Sequence, residues 1–144
     1  MPPRRKPRQR EDGLAARDRE LVAEARRLVR ARFRQNYHHL ACALRTRAGR
    51  VFSGVHLEAY VGRVAVCAEA VALGVAASAA GDTDVDVIVT VDRNGTVVSP
   101  CGLCREMLTD FAPDARVVVP GNGTLDLLPV SDLLPRKYRR FHKD

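Results

Sequence analysis

Two cysteine-bearing segments constrain this chain more than anything else in it. Cys67-Ala68-Glu69 lies in the Ala-rich run 64–81, and Pro100-Cys101-Gly102-Leu103-Cys104 opens a second run with helical spacing. Between them stands VDVIVTV, residues 85–91, which is β-branched and mostly apolar and predicts a central strand. Residues i and i+3 share a helical face, so Cys101 and Cys104 can bind one ion together. A helix N-terminus favours anions, and therefore thiolates. With both helix starts aimed at one point, Cys67 joins the other two.

The rest of the pattern agrees with an α/β chain. In residues 14–34, Leu14, Leu21, Ala25, Leu28, Val29 and Phe33 fall near i, i+3, i+4 and i+7, which predicts an amphipathic helix. ALRTRAGRVFSGVHLE has two extended runs about Ala48-Gly49 and predicts a β-hairpin. VAVCAEAVALGVAASAAG is apolar almost all round, which predicts a buried helix stopped by Gly81. Asp92-Arg93-Asn94-Gly95 is a turn into a short return strand, 96–99. From Cys101 to Phe111 the spacing is helical, with Leu103, Met107, Leu108 and Phe111 expected on the apolar side. Residues 116–119 and 124–128 are further extended runs about Gly121-Asn122-Gly123, and VSDLLP predicts a short final helix capped by Ser131. The expected order is α-β-β-α-β-α-β-β around one small sheet.

At 144 residues the chain is expected to be one domain. No apolar run reaches the roughly 18 residues of a membrane span. The charged start has no hydrophobic run behind it, so a soluble, cytoplasmic protein is expected. The net charge of +7 sits at the ends: residues 1–10 carry five positive charges, and 136–144 carry five positive and one negative. Removing these contributions of +5 and +4 leaves 11–135 near −2. The expected organisation is a basic disordered arm over 1–13, a folded unit over 14–135 and a basic tail over 136–144. A solubilising role suits both ends; contact with nucleic acid through them is the alternative.

Three thiolates leave a fourth position open, which marks a catalytic zinc rather than a structural one. Glu69, two residues after Cys67, is then placed to exchange a proton with a metal-activated water, and Ala68 between them adds no bulk. A structural zinc module would close the site with a fourth Cys or His, for which His56 is conceivable. A redox Cys-x-x-Cys protein would give Cys67 and Glu69 no role. Cys42, alone in an apolar stretch, reads as a core residue.

Cys67-Ala68-Glu69 followed by Pro100-Cys101-Gly102-Leu103-Cys104 resembles the cytidine deaminase superfamily. The likeness covers roughly residues 38–135. It includes the hairpin run, SPCGLCREMLTDF and the closing SDLLP. Within the superfamily the blasticidin S deaminase type is the nearest, because the Asn-Gly turn runs on into SPCG. The resemblance implies a three-layer α/β/α sandwich with a central mixed five-stranded sheet. It implies Zn²⁺ held by Cys67, Cys101 and Cys104, with Glu69 as the catalytic proton shuttle. It also implies substrate contacts at His56, Glu58, His38 and Ala68. The implied reaction is hydrolytic deamination of a cytosine nucleoside or analogue, with another amino-heterocycle or a polynucleotide cytosine as the alternative substrate. The implied assembly is a homotetramer, with a homodimer as the alternative.

Three positions depart from the family pattern. Many members have Asn-x-Glu before the zinc helix; here the matching residues are His56 and Glu58. Many have Arg directly after Cys-Ala-Glu; here it is Ala70, as in the blasticidin S deaminases. An aromatic residue expected over the base aligns near His38, with Tyr37 adjacent.

Overall fold

The computed structural model describes residues 9–140. Residues 1–8, most of the expected basic arm, and 141–144 at the end of the tail lie outside the described residues. The order is α1 (Ala16–Arg32), β1 (Leu40–Thr46), β2 (Val51–Val55), α2 (Ala68–Ala80), β3 (Val85–Asp92), β4 (Val97–Val98), α3 (Gly102–Phe111), β5 (Arg116–Pro120) and β6 (Leu125–Pro129). Short 3-10 turns occupy Gly62–Val64 and Val130–Leu133.

The sheet runs β2-β1-β3-β5-β6, with the two-residue β4 added beside β3. Its pairs are antiparallel except β3 with β5, which is parallel. This is the expected mixed sheet, five strands on the main path, and VDVIVTV is its centre.

Alternation of side chains divides the core into two layers. Ala41, Ala43, Val87, Val89 and Val91 meet Leu21, Val22, Ala25 and Val29 of α1 on one face. Cys42, Leu44 and Ile88 meet Ala68, Ala72, Leu73 and Ala76 of α2 and Leu108 of α3 on the other. Each fully buried Val, Leu or Ile in these layers contributes about 1.5–3 kcal/mol. Gly54 lets α2 lie directly on β2: a Cβ there would stand 2.6 Å from the Ala72 backbone nitrogen. The Gly81 end of α2 has φ 61°, and its N–H bonds back to the carbonyls of Ala76 and Ala77.

Several local expectations change. The helix predicted across 64–81 begins only at Ala68, with Cys67 as its N-cap. It is not buried all round: Gly74, Val75, Ala77, Ser78 and Ala79 face solvent, because one sheet face covers only one side of a helix. On α3 the inward residues are Cys104 and Leu108, whereas Leu103 and Phe111 are exposed. Turning Cys104 inward carries Leu108, one turn on, with it and leaves Leu103 outside. Ser131 caps no helix; it lies inside the 3-10 turn, whose N-cap is Pro129.

The described part of the expected arm is fastened to the body. Arg10 bonds through its N–H to Gly123 and through its carbonyl to Leu125, beside β6. The Gln9 amide makes two hydrogen bonds to the Val97 backbone, standing in for a strand along β4. Arg26 pairs with Glu11 and donates to the Gly95 carbonyl. At the other end Lys137 is covered on α3 by Glu106, Asp110 and Thr109.

Candidate active site

One edge of β3 is shared. Its first half pairs with β5 through Val87 and Ile88, and its second half pairs with β4 through Thr90 and Val91. The sheet forks there, and β4 leads through Pro100 into α3. Parallel β3 and β5 need a crossover helix, and α3 is that helix. Beside it on the same sheet face lies α2.

Cys67 is the N-cap of α2 and Cys101 the N-cap of α3. Cys104 lies one turn into α3 and is buried. The three Sγ atoms lie within 4.8 Å of one another, with Cys67 and Cys101 3.6 Å apart. Zinc–thiolate bonds in tetrahedral geometry hold sulfurs about 3.8 Å apart, whereas a disulfide needs about 2 Å. The spacing therefore fits a shared metal and not a disulfide.

Electrostatics point the same way. For Cys101, burial works to raise the thiol pKa, but the backbone N–H groups of Cys104 and Leu103 and the Cys67 thiol bring it below its ordinary value. Burial pushes Cys67 up, with the hydrogen bond to Cys101 adding to it. Burial and then the Glu69 charge push Cys104 well up. Three sulfurs and a carboxylate crowd together, and among the described residues no ion pair neutralises them. A divalent cation supplies the missing positive charge, and thiolate is the donor zinc takes readily.

Glu69, in the first turn of α2, is 5% exposed and walled by Ile88, Thr90, Pro100, Leu108 and Val117. Its position at the helix start resolves a difficulty of spacing: mid-helix, residues i and i+2 diverge, but a capping Cys67 lies outside the helical turn. Ala68, at the first helical position, is buried in the core beneath them.

The other expected residues form a second group. Beyond β1 and β2 the strands continue irregularly: His56 N–H bonds to Leu40, Glu58 N–H to Tyr37, and Leu57 pairs both ways with Val66, the neighbour of Cys67. His56 Nε2 lies 3.5 Å from Glu58 Oε2, and His38 Nδ1 lies 2.9 Å from the His56 carbonyl. Tyr37 is half-exposed beneath the Arg34 guanidinium, 3.9 Å from its ring centre.

Two contributors escaped the sequence reading. Thr90 lies opposite Cys42 across β1 and β3, bonds its thiol and walls Glu69. Cys42 itself is fully buried, as expected. Arg105 donates to the Pro100 carbonyl at 2.9 Å and to Leu133 at 3.0 Å, fastening the residue before Cys101. Strand register hides the first in the sequence; an arginine on a helix reads as a solvated face and hides the second.

A family model described as the cytidine and deoxycytidylate deaminase zinc-binding region matches residues 15–120. Blasticidin-S deaminase of Bacillus cereus is 44% identical over 135 residues, covering 88% of this chain and 96% of that protein. Cytidine deaminase of Halalkalibacterium halodurans is 35% identical over 98 residues, 67% of this chain and 74% of that one. Among solved structures, cytidine deaminase from Mycobacterium leprae superposes with a TM-score of 0.73 at 22% identity, over 85% of this chain and all of that one. That from Burkholderia pseudomallei gives 0.68 at 28% identity, over 83% and 98%. The fork in the sheet, the two cysteine-capped helices and these likenesses agree: the chain belongs to the cytidine and deoxycytidylate deaminase zinc-binding family.

Proposed function

We propose that this protein is a zinc-dependent hydrolytic deaminase of a cytosine nucleoside or a cytosine-containing nucleoside analogue of the blasticidin S type. The amino group leaves as ammonia and the ring becomes a uracil. The observation that carries this reading is the meeting of three sulfurs from two helix starts with the buried Glu69 beside them. Cys67, Cys101 and Cys104 would hold the metal. When bound, zinc supplies Lewis acidity and an activated water at neutral pH.

The chain's own residues do the rest. Glu69 would accept a proton from the attacking water at a carboxylate oxygen and pass it to ring N3, then take the remaining proton of the new C4 hydroxyl and deliver it to the amino nitrogen as the C4–N bond breaks and ammonia leaves. Its enclosure by Ile88, Leu108 and Val117 keeps bulk water from that exchange. The thiols fasten the centre to two helices, and Arg105 steadies the segment before Cys101. His56 and Glu58 would grip the sugar, and His38 would lie along the base.

The catalytic unit is residues 14–135, with the basic ends as solubilising extensions. Lys137 is already engaged by Glu106 and Asp110, which favours a small free substrate over a polynucleotide. Exposed Leu57, Tyr60, Val61, Val64 and Val66 beside the site support assembly as a homotetramer, or at least a homodimer. No helix among the described residues is long and apolar enough to cross a membrane, which suits a cytoplasmic place.

An ammonia-release screen tests the reading. Zinc-loaded protein is offered cytidine, deoxycytidine, cytosine, 5-methylcytidine, blasticidin S and guanine-type amines. Release from cytosine nucleosides or blasticidin S is expected; silence on all of them contradicts it.

A further inference from the structure

We propose that His56 works as a neutral imidazole whose tautomer is dictated by the main chain, presenting Nε2–H as a fixed donor to an oxygen of the substrate's sugar while Glu58 beside it accepts. The proposal rests on the nucleoside reading above and adds the protonation state and direction of that contact.

The geometry begins at the other ring nitrogen. The His39 backbone N–H points at His56 Nδ1 from 3.3 Å. An N–H can only donate, so Nδ1 must offer its lone pair, and the neutral ring carries its proton on Nε2. That nitrogen lies 3.5 Å from Glu58 Oε2, at the long limit of a hydrogen bond, so a hydroxyl lying beside the pair can accept from Nε2–H and donate to the carboxylate. The His56 side chain is 11% exposed, so its polar end faces few competitors from solvent.

The neighbouring imidazoles are set in the same manner. The Asn36 N–H donates to His39 Nε2 at 2.9 Å, so His39 carries its proton on Nδ1. His38 Nδ1 stands 2.9 Å from the His56 carbonyl, which only accepts, so it too is protonated on Nδ1. His39 and His56 pack with ring centres 5.5 Å apart. A proton on any one of these rings charges it beside the others. The groups facing His56 are Glu58 on its own segment and His38 and His39 from the segment before β1. Burial is the largest influence on His56 and pulls its pKa below the ordinary value; Glu58 opposes it, and the two histidines reinforce it. Protonation would put a hydrogen on Nδ1 against the His39 N–H and break the arrangement that aims Nε2.

A neutral donor there matches what a sugar oxygen needs. An imidazolium would pair with Glu58 and tie up the acceptor. As pH falls through the His56 pKa, substrate binding weakens. The loss should fall on KM and not on kcat.

The experiment has two arms on the full-length zinc-loaded protein. Nitrogen-15 NMR of the histidine rings at pH 7.5 should show His56 with a protonated Nε2 and a bare Nδ1. The second arm follows KM and kcat for cytidine from pH 5 to 8 in the native chain, His56→Gln and His56→Ala. A glutamine places an amide N–H near the Nε2 position and does not titrate. His56→Ala should raise KM about tenfold or more at pH 7.5. His56→Gln should show an intermediate KM that no longer climbs toward acid, whereas the native KM climbs as pH falls through the lowered His56 pKa. A His56 ring protonated on Nδ1 overturns the proposal alone, with deamination intact. An acid rise of KM that survives in His56→Gln also overturns it. The expected tautomer with no turnover of any cytosine nucleoside removes the substrate role together with the reading it rests on.

Discussion

The two ends of the sheet handle buried charge in opposite ways. At the end away from the thiols, Arg45 reaches Asp18 at 2.8 Å and Asp86 at 2.9 Å, and Arg116 reaches Asp86 at 2.7 Å. Every buried charge there has a partner of opposite sign. At the thiol end Cys67, Cys101, Cys104 and Glu69 are all anion-formers, and none of them has an ion-pair partner among the described residues. The first arrangement is complete as a protein and only has to hold the fold. The second is complete only with a cation, and that incompleteness is what a metal enzyme requires. Removing a group should therefore cost stability at one end and chemistry at the other.

The largest effect is expected at the thiols. Cys101→Ala should lose stoichiometric zinc by elemental analysis, and turnover should fall about 10³-fold or more. Its melting temperature should also stop responding to a chelator, because metal binding and folding are coupled. Zinc retained at one equivalent would break the comparison.

Next comes Glu69→Gln, which keeps the shape and removes the proton carrier. Zinc content should stay at one equivalent while kcat falls about 10²–10⁴-fold. Metal loss in this variant would make Glu69 a ligand and not a shuttle.

At the other end the signs reverse. Arg45→Met strands the buried Asp18 carboxylate and should cost about 3 kcal/mol in urea unfolding. Zinc content and kcat at 25 °C should be unchanged. A fall in kcat without a fall in stability would show that the two ends are not separate.

The smallest effect is a pH dependence. Burial works to raise the Asp86 pKa, but Arg116 and Arg45 outweigh it and hold it below the ordinary carboxylate range. A depressed carboxylate contributes stability that is present above the unfolded value of about 3.9 and is lost as pH falls through the folded value. Unfolding free energy should drop below about pH 4, and Asp86→Asn should flatten that drop. An unaltered acid slope in the variant would remove Asp86 from the account.

These two ends were unequally legible in the sequence. Cys67-Ala68-Glu69 and Pro100-Cys101-Gly102-Leu103-Cys104 announce themselves, because a metal site needs fixed residue types at helix starts and each motif is local. The β-branched run 85–91 announces its strand for the same reason. The Arg45 network does not, since Asp18, Arg45, Asp86 and Arg116 meet only after α1 and three strands are in register. Nor does the docking of Gln9 and Arg10, whose partners Val97, Gly123 and Leu125 lie far along the chain. The outward face of α2 and the exposed Leu103 and Phe111 misled in the other direction. Composition records that residues are apolar but not which side the sheet covers.

Zinc K-edge X-ray absorption on the purified protein tests the central claim most directly. The account predicts three sulfur scatterers and one light oxygen atom around the metal. A fourth sulfur, the multiple-scattering signature of a bound imidazole, or fewer than three sulfurs would contradict it.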